Sequence, residues 1–85
     1  DIYALGGVLY EILAGRPPFI ADDQDQLIKK QLTAEPKPLA KFCPGVTPEL
    51  DRLVLATLAK NPADRPGSAR HFLARLKKAG VFREH

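Results

Sequence analysis

The sequence predicts an all-α fold of four helices, and three observations carry that reading. Apolar residues recur at helical spacing in four separate stretches. The eight prolines fall between those stretches or at their starts. No run alternates apolar and polar residues as a half-buried strand would. At 85 residues the chain holds one domain at most, and a chain of that size buries only roughly 60–70% of its unfolded surface. It is 45% hydrophobic and 27% charged, an ordinary globular composition. A single cysteine excludes a disulfide-stapled scaffold. No apolar run reaches the roughly 17–25 residues of a spanning helix, and no basic stretch precedes an apolar one as in a secretory leader. The chain opens at Asp1, inside an apolar pattern, which predicts a cut end and an incomplete domain.

The first helix is expected over residues 1–14. Ile2, Leu5, Leu9, Ile12 and Leu13 follow the 3.6-residue period, and Ala4 and Val8 widen the apolar surface to most of the circumference. A helix apolar on most sides is expected to be central and buried. Gly6 and Gly7 each weaken it by about 1 kcal/mol relative to Ala, so a neighbouring backbone is expected to press close there. Gly15 supplies the stop, and Pro17-Pro18 forbids continuation. The second helix is expected over about residues 23–32. Asp22 or Asp23 caps it, Asp25 suits the positive end of its dipole, and Lys29 and Lys30 suit the negative end. Only Leu27, Ile28 and Leu32 form its apolar stripe, so it belongs on the surface as a docking face. The connection that follows holds Pro36, Pro38, Pro44 and Gly45, too broken for regular structure.

The third helix is expected over about residues 48–58. Thr47 is a good cap, Pro48 fits the first helical position, and Glu49 and Asp51 load the first turn. Leu50, Leu53, Val54 and Leu58 form its face. Residues 60–67 read as a turn-rich loop. Ser68 then caps a fourth helix, about residues 68–79, with Ala69, Phe72, Leu73 and Leu76 on its face. Lys77 and Lys78 lie at its negative end, and Gly80 is expected as a left-handed stop.

Few residues carry chemistry. His71 and His85 have no Cys or carboxylate at metal-ligand spacing, and Cys43 has no His nearby to activate it. The glycines fit neither phosphate-cradling pattern. Residues 60–85 carry seven basic and two acidic groups, against six and eight in residues 1–59. The basic end reads as a solvated helix face. The competing reading is a free-standing helical interaction module that touches nucleic acid through Arg70, His71, Arg75 and Lys78. Phe72, Leu73 and Leu76 occupy that same helix, and no aromatic is interleaved for base stacking. Two residues resist a purely structural reading. Asp1 opens an apolar helix, although a plain cap would explain it. Arg65 sits in a tight loop between two apolar helices, where its guanidinium needs a carboxylate partner or suffers desolvation. Asp64 is adjacent but badly angled, so the partner is expected outside this chain.

The run Asp1-Ile2-Tyr3-Ala4-Leu5-Gly6, followed by Leu9-Tyr10-Glu11-Ile12-Leu13 and Gly15-Arg16-Pro17-Pro18-Phe19, resembles the F helix and following loop of eukaryotic-type protein kinases. Leu58-Ala59-Lys60-Asn61-Pro62-Ala63-Asp64-Arg65-Pro66 resembles the loop before the last helix of that family. The two motifs occur in family order and the resemblance covers essentially the whole chain, with wording most similar to bacterial serine/threonine kinases. It implies the F, G, H and I helices, the C-terminal part of the large lobe. Asp1 matches the aspartate that accepts hydrogen bonds from the catalytic-loop backbone. Val8 and Ile12 match the anchors of the hydrophobic column that rises toward the adenine pocket. Arg65 matches the arginine that pairs with the glutamate of the Ala-Pro-Glu motif ending the activation segment. Glu11 matches a position that in some members reads a basic residue of the peptide substrate, and a structural carboxylate is the equal alternative. Gly7 departs from the usual β-branched or small apolar residue, which implies a looser first helix.

The resemblance also implies what the longer protein supplies. Phosphoryl transfer needs a Gly-rich loop, a strand lysine, a catalytic Asp with a metal-binding Asn, and the Asp-Phe-Gly aspartate. None lies in these residues, so no catalytic residue, metal ligand or cofactor site is expected here. ATP and Mg belong to the longer kinase, as does the protein substrate. The expected partner of this piece is the rest of the kinase domain, with no nucleic acid and no membrane segment. The implied location is cytoplasmic, with any membrane anchor outside these residues.

Overall fold

The computed structural model describes residues 1–80, and all of its extended elements are helical. Four α-helices follow in order: α1 (Ile2–Ala14), α2 (Gln24–Thr33), α3 (Pro48–Thr57) and α4 (Ala69–Ala79). Short 3-10 turns at Leu39–Lys41 and Pro62–Asp64 interrupt the connections before α3 and α4. The described residues include no strand beyond an isolated bridge at Val46. Arg83, Glu84 and His85, which entered the charge and histidine readings, lie outside the described residues.

Each helix starts on a side-chain cap that satisfies backbone amides left free in the first turn. Asp1, Asp23, Thr47 and Ser68 accept from Tyr3 N, Gln26 N, Leu50 N and His71 N respectively. Helix α1 ends at Gly15, whose φ of 76° and ψ of 9° place it in the left-handed region that favours glycine. Gly80 also has positive φ, but its ψ of 160° departs from the expected left-handed helical stop.

The core lies where α3 crosses α1 and α4. Tyr10, Leu39, Val46, Leu50, Val54 and Leu58 form its buried cluster, and Leu53 and Phe72 are buried alongside. Truncating one such leucine to alanine costs about 2–5 kcal/mol. The expected face of α3 is therefore the centre of the molecule. On α4 only Phe72 is buried: Leu73 and Ala69 face solvent, because α4 meets the core along one narrow edge. Helix α2 buries no residue, as its thin stripe predicts.

Two expectations are corrected by the packing. The connection after α2 is not irregular throughout, because Asp51 organises it. Its carboxylate accepts from Leu39 N at 2.8 Å and Ala40 N at 3.2 Å, which stations Leu39 fully buried in the core. The two glycines of α1 are not equivalent either. A Cβ on Gly6 would lie 1.7 Å from Thr57 Oγ1, so the close neighbour is a side chain of α3 rather than a backbone. Gly7 faces open space.

Candidate functional site

Helix α1 was expected to be buried, yet only Gly6 and Tyr10 are. Val8 and Ile12 are 57% and 70% exposed, and Leu5 lies on the same side of the helix. The spacing 5, 8, 12 is that of one helical face, so α1 carries an uncovered apolar stripe. The physical reason is that α3 packs on one side of α1, while no described residue covers Val8 and Ile12 on the other. Glu11 borders the stripe and is exposed. With Val8 and the Pro17-Pro18-Phe19 loop it lines a cleft of about 330 Å3 between α1 and α2.

A second cleft, also about 330 Å3, opens at the start of α1 and is lined by Asp1, Tyr3, Gln31, Leu32, Lys60 and Arg65. It brings together residues from both motifs. Asp1 Oδ1 accepts from Tyr3 N at 2.8 Å and Ala4 N at 3.3 Å. Its other oxygen accepts no hydrogen bond among the described residues. The Asp1 side chain therefore caps its own helix, at the edge of this cleft.

Arg65 is positioned by the turn before it. Asn61 Oδ1 accepts from Ala63 N at 3.0 Å, and Pro62–Asp64 wind into a 3-10 turn that aims residue 65 back at α1. Its Nε donates to Ala59 O at 2.9 Å, and its Cζ sits 4.8 Å from the Tyr3 ring centroid. The expectation that Arg65 must have a carboxylate or suffer desolvation is thus modified. A backbone carbonyl and an aromatic face partly satisfy the guanidinium, and it lies within 4.0 Å of no carboxylate among the described residues, where the one ion pair is Arg52–Glu49. Its planar fork still has donors to give.

Lys60 lines the same cleft, and sequence reasoning missed it. Its ammonium is buried without a hydrogen-bond partner among the described residues, 4.5 Å from the Phe19 ring centroid. It lies within the second kinase-like run, Leu58 to Pro66, yet nothing in that run assigns it a role. The signal available in the sequence was only its place directly before Asn61-Pro62. Cys43 is half-buried against the core and His71 is exposed, so neither joins a site. Among the described residues no group of His, Cys, Asp or Glu could hold a metal ion, and no helix is long and apolar enough to cross a membrane.

An arginine held ready at a cleft beside an uncovered apolar helix describes part of a larger helical domain, and relatives identify which one. The chain is 43% identical over 79 residues to the serine/threonine-protein kinase pkn3 of Myxococcus xanthus, a match covering 91% of this chain and 14% of that protein. It is 46% identical over 76 residues to the serine/threonine-protein kinase PknB of Mycolicibacterium smegmatis, covering 89% and 12%. To PknB of Mycobacterium leprae it is 42% identical over 76 residues, with the same coverage. No family model matches the chain. The chain thus matches a segment of bacterial serine/threonine-protein kinases over nearly its whole length, is all-helical as the C-terminal part of their large lobe is, and spans about one-seventh or less of the relatives it matches.

Proposed function

We propose that this chain is the scaffold on which the longer kinase builds its catalytic loop and activation segment, and that the longer protein transfers the γ-phosphate of ATP to protein serine or threonine. The observation that carries the reading is the cleft that joins Asp1, Tyr3 and Arg65. On this reading the free oxygen of Asp1 accepts backbone amides of the catalytic loop, and Arg65 pairs with the glutamate closing the activation segment. Val8 and Ile12 support the hydrophobic column that rises toward the nucleotide. Glu11 either reads a basic residue of the peptide substrate or is a structural carboxylate. On the same reading Mg-ATP is held by other parts of the kinase, and no chemical step runs through this segment. The rest of the kinase domain is its partner, and the cytoplasm its proposed location, with any anchor elsewhere in the protein.

The role is that of a rigid support, which holds catalytic groups in place without touching the reacting atoms. Arg65→Ala in the full-length kinase tests it. The substitution is expected to cost on the order of 3–5 kcal/mol if the pair is buried and to lower phosphoryl transfer with it. Unchanged melting and unchanged activity would remove the assignment.

A further inference from the structure

Helix α1 has a side that its uncovered stripe does not reach. Tyr10 projects about 200° around the helix from both Val8 and Ile12. There it lines a third cleft, of about 210 Å3, between the end of α1, α2 and the connection that follows α2. Three cations line this cleft: Arg16, Lys30 and Lys37. The one acid among its lining residues is Glu35, which leaves the cleft a net charge of +2. None of the three cations lies within 4.0 Å of a carboxylate among the described residues, where Arg52–Glu49 is the one ion pair. Two of them are nonetheless held in place. The Arg16 guanidinium lies over the Phe42 ring, 4.9 Å from its centroid, and the Lys30 ammonium donates to Ile20 O. Stacking on a ring leaves a guanidinium's in-plane N–H groups to face a ligand edge-on. Like charges gathered at one cleft repel one another until an anion joins them.

We propose that this cleft binds a phosphorylated side chain of a peptide, with Arg16, Lys30 and Lys37 as its cations. A phosphoserine or phosphothreonine carries about −1.5 to −2 charges at pH 7 and three acceptor oxygens. That charge balances the cleft, whereas a single carboxylate would leave it positive. The guanidinium meets phosphate oxygens through paired N–H donors, and the two ammonium groups act as point charges. Pro17, Phe19 and Phe42 supply an apolar wall for the flanking peptide. A nucleic-acid track instead calls for cations repeated along a groove with stacking aromatics between them. Here the three cations share one small cleft with an acid among them. Resting on the kinase reading, the consequence is that the longer protein holds a substrate already phosphorylated at one position while acting at another.

Binding is measured without ATP, so that it does not depend on catalysis. The full-length protein is passed over immobilised degenerate peptide libraries that fix phosphoserine, serine or glutamate at the central position. Retention on phosphoserine should exceed that on either other library by about tenfold or more. Arg16→Gln and Lys37→Met should each lower it several-fold and together abolish it. Both variants should still phosphorylate a short unphosphorylated peptide as the wild type does. Retention on serine or glutamate equal to that on phosphoserine would overturn the proposal. So would unchanged retention in the double variant, or tighter capture by immobilised oligothymidylate than by the phosphoserine library. Should the double variant fail to fold, Lys37→Met alone decides, since that side chain is exposed, and unchanged retention in it overturns the proposal. Transfer to the short peptide by the wild type reports separately on the kinase reading, so either can fail alone.

Discussion

Arg65 lies over the ring of Tyr3, its Cζ 4.8 Å from the centroid, while its Nε is tied to Ala59 O at 2.9 Å. The contact clamps the loop before α4 onto the first turn of α1, where Asp1 already holds the Tyr3 amide. Loop and helix start are thereby one mechanical unit. A change in either is felt at the cleft between them.

That clamp is measurable as a coupling. Arg65→Lys keeps the charge but loses the Nε donor and the planar stack, and Tyr3→Leu removes the ring. In a double-mutant cycle by denaturant unfolding, the pair should show a coupling of about 0.5–1 kcal/mol, the range of a partly exposed cation–π contact. Strict additivity would show that the two side chains are merely neighbours.

The glycine pair of α1 should respond with opposite signs. In Gly6→Ala the new Cβ meets Thr57 Oγ1 at 1.7 Å and Thr57 Cβ at 2.6 Å, so α1 and α3 must separate. Overpacking of this kind costs about 1–3 kcal/mol. Gly7→Ala meets nothing within 4 Å and should gain about 1 kcal/mol from helix propensity alone. Urea midpoints of the two variants in this 85-residue chain decide the matter. Equal effects would contradict the packing described.

Tyr10 gives the fold an alkaline limit. Its hydroxyl donates to Lys37 O at 2.6 Å from within the core. Burial raises its pKa above the ordinary 10.0; Arg16 works against that rise and Asp51 adds to it. The folded state therefore retains the proton at pH values where the unfolded chain has lost it. The associated stability is fully present below pH 10 and is lost as the pH rises above it. Tyr10→Phe should be less stable at neutral pH, by about 1 kcal/mol for the lost hydrogen bond, and its stability should fall less between pH 10 and 11. Parallel alkaline profiles for the two proteins would contradict this.

Much of this fold is legible from local chemistry. Thr47 with Pro48, Ser68, and Gly15 followed by Pro17 mark helix ends through backbone rules that operate within a few residues. What stayed illegible depends on partners distant in sequence. Asp51 reads as an acidic residue in a first turn, and only folding reveals that it serves Leu39 and Ala40. Gly6 and Gly7 look alike until α3 arrives on one side of them. Breadth of the apolar surface on α1 reads as burial, yet Val8 and Ile12 are exposed, because periodicity does not say whether covering residues belong to the same chain. Asp1 and Arg65 stood out by residue type and context, and both reach one cleft. Lys60 did not, since a lysine before a turn is ordinarily solvated and its burial depends on where Phe19 lands.

The most direct measurement is transfer of labelled γ-phosphate from Mg-ATP to protein by the full-length protein that carries this chain, compared with its Asp1→Ala variant. Label on serine or threonine with the wild type, and a large loss in the variant, is the expected result. Absence of transfer by the wild type, or equal transfer by the two proteins, would contradict the role assigned to this helical segment.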